Sequence, residues 1–146
     1  MQPIRFKPNI DKLFFIIFIP TLIIVFGCCI VPSFFAPGTF IITIPVSLFT
    51  LYFLITPLFG YVELRDEGVF IKYGFFMKRF IPYAKIRSLE KTRKFYSESM
   101  MSLKNSFEHV NIRYNSFDVT SVSVNNNDEF IEKLKELKAE RQHRAT

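Results

Sequence analysis

The sequence predicts a transmembrane α-helical hairpin followed by an α+β domain, a six- to seven-stranded antiparallel β-barrel or sandwich capped by a C-terminal helix. Three observations predict this class. Between Lys12 and Glu63 there is no Asp, Glu, Lys, Arg or His, and the stretch is roughly twice the ~20 apolar residues that one membrane-spanning helix needs. From Tyr61 onward, short runs of alternating apolar and polar residues are separated by turn residues. Near the C-terminus, apolar residues recur at helical spacing behind an Asn-rich cap.

Taken in order, residues 1–12 form a basic lead-in with Pro3 and Pro8, expected to be irregular or to lie at the membrane interface. Residues 13–60 hold the two spans, about 13–31 and 39–59. The first, Leu13 to Val31, gives a helix of about 28 Å at 1.5 Å per residue. It is interrupted by Pro20. Val31 to Gly38 carries two prolines and a glycine and reads as the turn. The second span, Thr39 to Phe59, contains Pro45 and Pro57, and a kink near Pro45 is expected. Thr21, Thr43, Ser47, Thr50 and Thr56 can bond between the helices or back to their own backbone. A soluble reading fails on size, because the rest of so short a chain cannot cover two helices that are apolar on every side.

Residues 61–139 form the folded domain. Tyr61–Arg65 alternates, Asp66-Glu67-Gly68 turns, and Val69–Tyr73 makes a second strand ending at Gly74. Phe75–Ile81 is read as a third strand halted by Pro82, and Ile86–Phe95 as a longer fourth. Tyr96–Ser106 reads as a loop or short strand. His109–Tyr114 alternates strictly, with Val110, Ile112 and Tyr114 on one face and His109, Asn111 and Arg113 on the other. After a turn at Asn115-Ser116, Phe117–Val124 forms a further strand. Asn126 is the expected N-cap of the last helix, with Glu129 at the third helical position as in a capping box. Phe130, Ile131, Leu134 and Leu137 form its apolar stripe, and residues 140–146 are a fraying tail.

Charge sets the topology. The net charge is +6; Arg5, Lys7 and Lys12 precede the first span, further basic residues follow the second, and the loop between carries none. Basic flanks stay cytoplasmic, so both termini should face the cytoplasm of a multi-pass protein of the cell (inner) membrane. Cys28 and Cys29 are the only cysteines. Val25-Phe26-Gly27-Cys28 loosely resembles a lipobox, but Phe26 is bulky and the chain stays apolar after Cys28. They read instead as small polarizable residues packed in a helix.

The domain carries a resemblance. Ile71-Lys72-Tyr73-Gly74 followed by Arg79–Ile86 is similar to the strand–Gly–strand run of small bacterial PH-domain proteins. Ser106–Tyr114, and Val122-Ser123-Val124 followed by Asp128–Leu134, resemble elements of the YyaB-like PH family. His109 stands where that family has Arg, and Val124 where it has Pro. The resemblance implies a PH-like domain attached to a membrane, and it is structural rather than chemical. Other small bacterial proteins of this build serve as immunity proteins against bacteriocins.

The candidate binding face is the basic run Lys72, Lys78, Arg79, Lys85, Arg87, Lys91, Arg93 and Lys94, broken only by Glu90. Near an anionic leaflet each such charge is worth ~1 kcal/mol of attraction. The implied partners are anionic lipid head groups or another membrane protein. Nucleic acid is not implied, because no stacking motif is present and Phe75, Phe76 and Phe80 read as core. No catalytic, cofactor or metal site is predicted. No cysteine lies outside the apolar stretch, there is no phosphate-binding glycine loop, and His109 reads as an exposed strand residue. Neither span holds an ionisable side chain that could form a proton relay or ion path. The sequence therefore predicts an interaction module without enzymatic activity.

Overall fold

The first residues of the chain belong to the domain. In the computed structural model, which describes residues 2–99 and 103–144, Ile4–Phe6 forms strand β1 and pairs antiparallel with β2, Tyr61–Leu64. The two-helix insertion thus leaves the sheet at one strand and returns at its neighbour. The lead-in expected to be irregular supplies a sheet edge and a core residue: Phe6 packs edge-on against Phe130, with ring centroids 5.3 Å apart.

Two helices, Lys12–Ser33 and Pro37–Phe59, are long and apolar enough to cross a membrane, and their side chains are almost entirely unburied by the protein itself. Asp11 caps the first, accepting from the Leu13 N–H at 2.8 Å. Each helix runs through its internal proline, Pro20 or Pro45. A π-helical turn at Phe26–Ile30, holding both free cysteines, interrupts the first helix near its far end. Thr21, Thr43, Thr50 and Thr56 each donate to the carbonyl four residues back. The helices are also tied across the turn, where the Ser33 hydroxyl lies 2.9 Å from that of Thr43 and accepts from Thr39 at 3.0 Å. Ser47 Oγ is buried without a partner among the described residues.

The domain is a sandwich of two antiparallel sheets rather than a closed barrel. One sheet has the order β1-β2-β3-β4, with β3 at Gly68–Tyr73 and β4 at Met77–Pro82. The other has the order β5-β6-β7, comprising Ile86–Arg93, Glu108–Tyr114 and Asp118–Val122. Inward alternation gives the core: Val62, Leu64, Val69, Ile71 and Ile81 from the first sheet, and Val110, Ile112 and Val122 from the second. Beyond β1 the N-terminal segment reaches the end of β7, where Asn9 N–H donates to Ser123 O and Asn125 N–H to Lys7 O.

The C-terminal helix, Asn127–Arg144, covers the core with Phe130, Leu134 and Leu137, and it runs on past Glu140. Its cap is the one the residues predict. Asn126 Oδ1 accepts from the Glu129 N–H, and the Asn126 amide donates to the Glu129 carboxylate at 3.0 Å. Val124 is fully buried, and its N–H donates to Asn127 Oδ1 at 3.1 Å. A proline there could not make that bond.

Candidate functional site

Two expected assignments are corrected by the structure. Phe75 and Phe76 lie in the β3–β4 turn and not in a strand; Phe80 lies in β4 but points away from the core, because Ile81 takes the inward position. All three are exposed, Phe76 by 83%. His109 is fully buried rather than exposed. The connection from β5, at one edge of its sheet, leads to Leu103, which is hydrogen-bonded along β7 at the other edge. The described part of that connection lies against the face opposite the core, which carries His109, Asn111 and Arg113: Glu98 pairs with Arg113 at 3.3 Å and Phe95 meets Phe107 with ring centroids 6.4 Å apart.

This face holds a small buried polar cluster. His109 Nδ1 contacts the Phe107 carbonyl at 3.1 Å, and Asn111 Oδ1 accepts from Ser121 at 2.6 Å. His109 Nε2, Asn111 Nδ2 and Thr92 Oγ1 are buried without partners among the described residues. Burial pushes His109 below the ordinary histidine range. The Phe107 carbonyl acts in the opposite sense, and Lys104 and Lys94 add to the lowering. The arrangement favours a neutral imidazole.

The more open chemistry lies on the outer face of the first sheet. The pairings Tyr61↔Lys72, Phe70↔Phe80 and Lys72↔Lys78 place aromatic rings and cations side by side on that face. The Arg5 guanidinium sits 3.6 Å from the Tyr61 ring centroid, Arg65 sits 4.0 Å from that of Phe70, and Lys72 Nζ lies 5.7 Å from that of Tyr61. Arg65 is also held by Glu63, at 2.7 Å. Lys72 and Lys78 are directly opposed like charges, an arrangement that costs stability in a sheet. Neither has a carboxylate at ion-pair distance among the described residues.

The predicted basic run is divided among several places. Lys72 and Lys78 are brought together on the outer face. Arg79 points inward and donates to the Tyr114 hydroxyl. Lys85 ends the short turn Tyr83–Lys85 and Arg87 lies just beyond it in β5; both are exposed. Lys91 is paired with Asp128 at 2.8 Å and Glu108 at 3.3 Å, and Lys94 with Glu98 at 3.0 Å. These hydrogen-bonded carboxylates hold both lysines above the usual ammonium range. Arg93 lines a cleft of 460 Å³ beside Asp11. Burial there would raise Asp11, but hydrogen bonds from Ser106, Leu13 N–H and Phe107 N–H, with the charge of Arg93, leave it below its ordinary value. Among the described residues, no three His, Cys, Asp or Glu side chains gather as a metal-ligand set.

The two-sheet sandwich with its single C-terminal helix agrees with the match of residues 60–138, more than half of the chain, to the bacterial PH domain family. The chain belongs to that family. No curated protein and no solved structure matches it. PH domains are generally interaction modules without catalysis, and no enzymatic family is indicated. The matched PH segment begins at Gly60, so β1 and both apolar helices lie outside it. Arg5 and Phe6 could be assigned to the PH sheet only from their pairing with β2; the three-residue run that carries them has no strand signal of its own.

Proposed function

We propose that this protein is a YyaB-like, membrane-anchored PH module that binds the anionic surface of the cytoplasmic leaflet and performs no chemistry. The two apolar helices span the inner membrane with both termini in the cytoplasm. The domain then sits against the leaflet, because adjacent strands of one sheet carry the two ends of the insertion. The observation that carries the reading is the Lys72–Lys78 pair. Two opposed ammonium groups, unmatched by carboxylates on a sheet joined to the spans, are relieved by a phosphate group placed between them.

The test is thermal unfolding of the full-length protein in neutral detergent with added short-chain phosphatidylglycerol or phosphatidylcholine. Selective stabilisation by phosphatidylglycerol is expected, weakened by salt and lost in Lys72→Gln/Lys78→Gln. Equal shifts with both lipids would reject the reading. Cross-linking from Lys78 to a membrane protein, with no lipid response, would identify a protein partner in its place. Self-immunity against a bacteriocin is the alternative of a different kind, resting on the same two-span build; heightened peptide sensitivity on deletion would favour it.

A further inference from the structure

We propose that the β3–β4 turn, Gly74-Phe75-Phe76, is an aromatic wedge buried in the cytoplasmic leaflet beside the second apolar helix, giving the domain its own contact with hydrocarbon. The inference rests on the reading that the two apolar helices span the bilayer.

The turn is fastened to the second helix. Phe75 stacks on Tyr52 with ring centroids 5.7 Å apart and lies 4.6 Å from Phe59, while Phe76 lies 6.1 Å from Tyr52. Gly74, with φ +79°, fits against Thr56 so closely that a Cβ would overlap the threonine methyl. Tyr52 lies about 10 Å inside the helix end at Phe59, at 1.5 Å per residue. A turn packed between Tyr52 and Phe59 therefore lies beside the last turns of the apolar helix and short of its end.

The chemistry changes along the strands as that depth requires. At the tip, Phe76 and Met77 are 83% and 56% exposed, and Phe75 is exposed beside them. A contiguous apolar patch of this kind marks an interaction site, whereas a lone exposed ring such as Phe117 on the β6–β7 turn needs no partner. One residue pair behind Tyr73↔Met77 come Lys72 and Lys78, at the height where phosphate groups would meet them. Rings below and ammonium groups above are the order of a membrane interface. Continuity with the spanning helix and this charge collar make the bilayer the occupant.

The chain contains no tryptophan, so Phe76→Trp supplies a single fluorescent reporter in the full-length protein. It would be placed in phosphatidylcholine/phosphatidylglycerol vesicles brominated high on the acyl chains. Phe53→Trp reports on the second helix, and Glu67→Trp on the β2–β3 turn at the opposite end of β3. The expected result is blue-shifted emission that loses about half its intensity for Phe76→Trp and Phe53→Trp, with Glu67→Trp unchanged. Met77→Trp should repeat the result if Phe76→Trp fails to fold. Quenching of Phe53→Trp without quenching at the turn would overturn the wedge and leave the span standing. A turn reporter shielded from acrylamide but untouched by bromine would also overturn it, in favour of cover by protein. No quenching at Phe53→Trp would remove the span and the wedge together.

Discussion

Phe6 and Val62 are antiparallel partners in adjacent strands, although the whole two-helix insertion lies between them. The two apolar helices are therefore an insertion between paired strands of the domain. Residues 60–138 alone would expose the edge of β2 and lose the ring that packs on Phe130. Phe6→Ala should destabilise the domain by about 3 kcal/mol, as for other buried aromatic truncations. Arg5→Ala, which removes a stacked cation from the exposed face, should cost less than about 1 kcal/mol. Thermal unfolding of the full-length protein in detergent checks both. Equal, small effects would show that β1 is dispensable.

Gly74→Ala should destabilise by at least about 1 kcal/mol, because an L side chain disfavours a left-handed φ. It should also loosen the turn from the second helix. Adding Thr56→Ser removes the overlapping methyl but leaves the φ unchanged and the Thr56 carbonyl still within 2.8 Å of the new Cβ. The double variant should recover part of the lost melting temperature and not all of it. Full recovery would mean that backbone strain is negligible, and none would mean that the methyl contact is irrelevant.

What could be read directly from the sequence was local. The Asn126–Glu129 cap needs only residues three apart, and the apolar stretch needs only composition. β1 was not legible because Ile-Arg-Phe is too short to signal a strand without β2, which arrives only after the insertion. The burial of His109 depends on a segment outside β6, in which Phe95 and Glu98 lie against Phe107 and Arg113, so alternation within β6 could not reveal it. Residue type alone points Phe75, Phe76 and Phe80 to the core, whereas the first two fall in the turn and the inward position of Ile81 turns Phe80 outward. The basic run is contiguous in sequence, but strand alternation and the change of sheet divide it, leaving Lys72 and Lys78 as the opposed pair.

His109 should make stability fall with acid in a defined window. Its folded value lies below the ordinary 6.5, so the unfolded chain takes up the proton first. The contribution is complete above about 6.5 and is lost as pH falls from there toward the folded value. Melting temperatures between pH 7.5 and about 5.5 should decline, and His109→Asn should flatten that decline. An unchanged slope in the variant would assign the effect to other groups.

Lys78→Glu separates folding from binding at the outer face. The substitution turns an opposed like-charge pair into an opposite-charge pair with Lys72, which should raise stability by a few tenths of a kcal/mol. If the two ammonium groups hold a lipid phosphate, the same change should abolish the extra stabilisation by phosphatidylglycerol. The melting temperature without lipid and the response to lipid should therefore move in opposite directions. A purely structural lysine would give the rise and leave the lipid response intact. A fall in both would show that Lys78 supports the sheet by a contact other than its charge, and the opposed pair would lose its standing as the binding site.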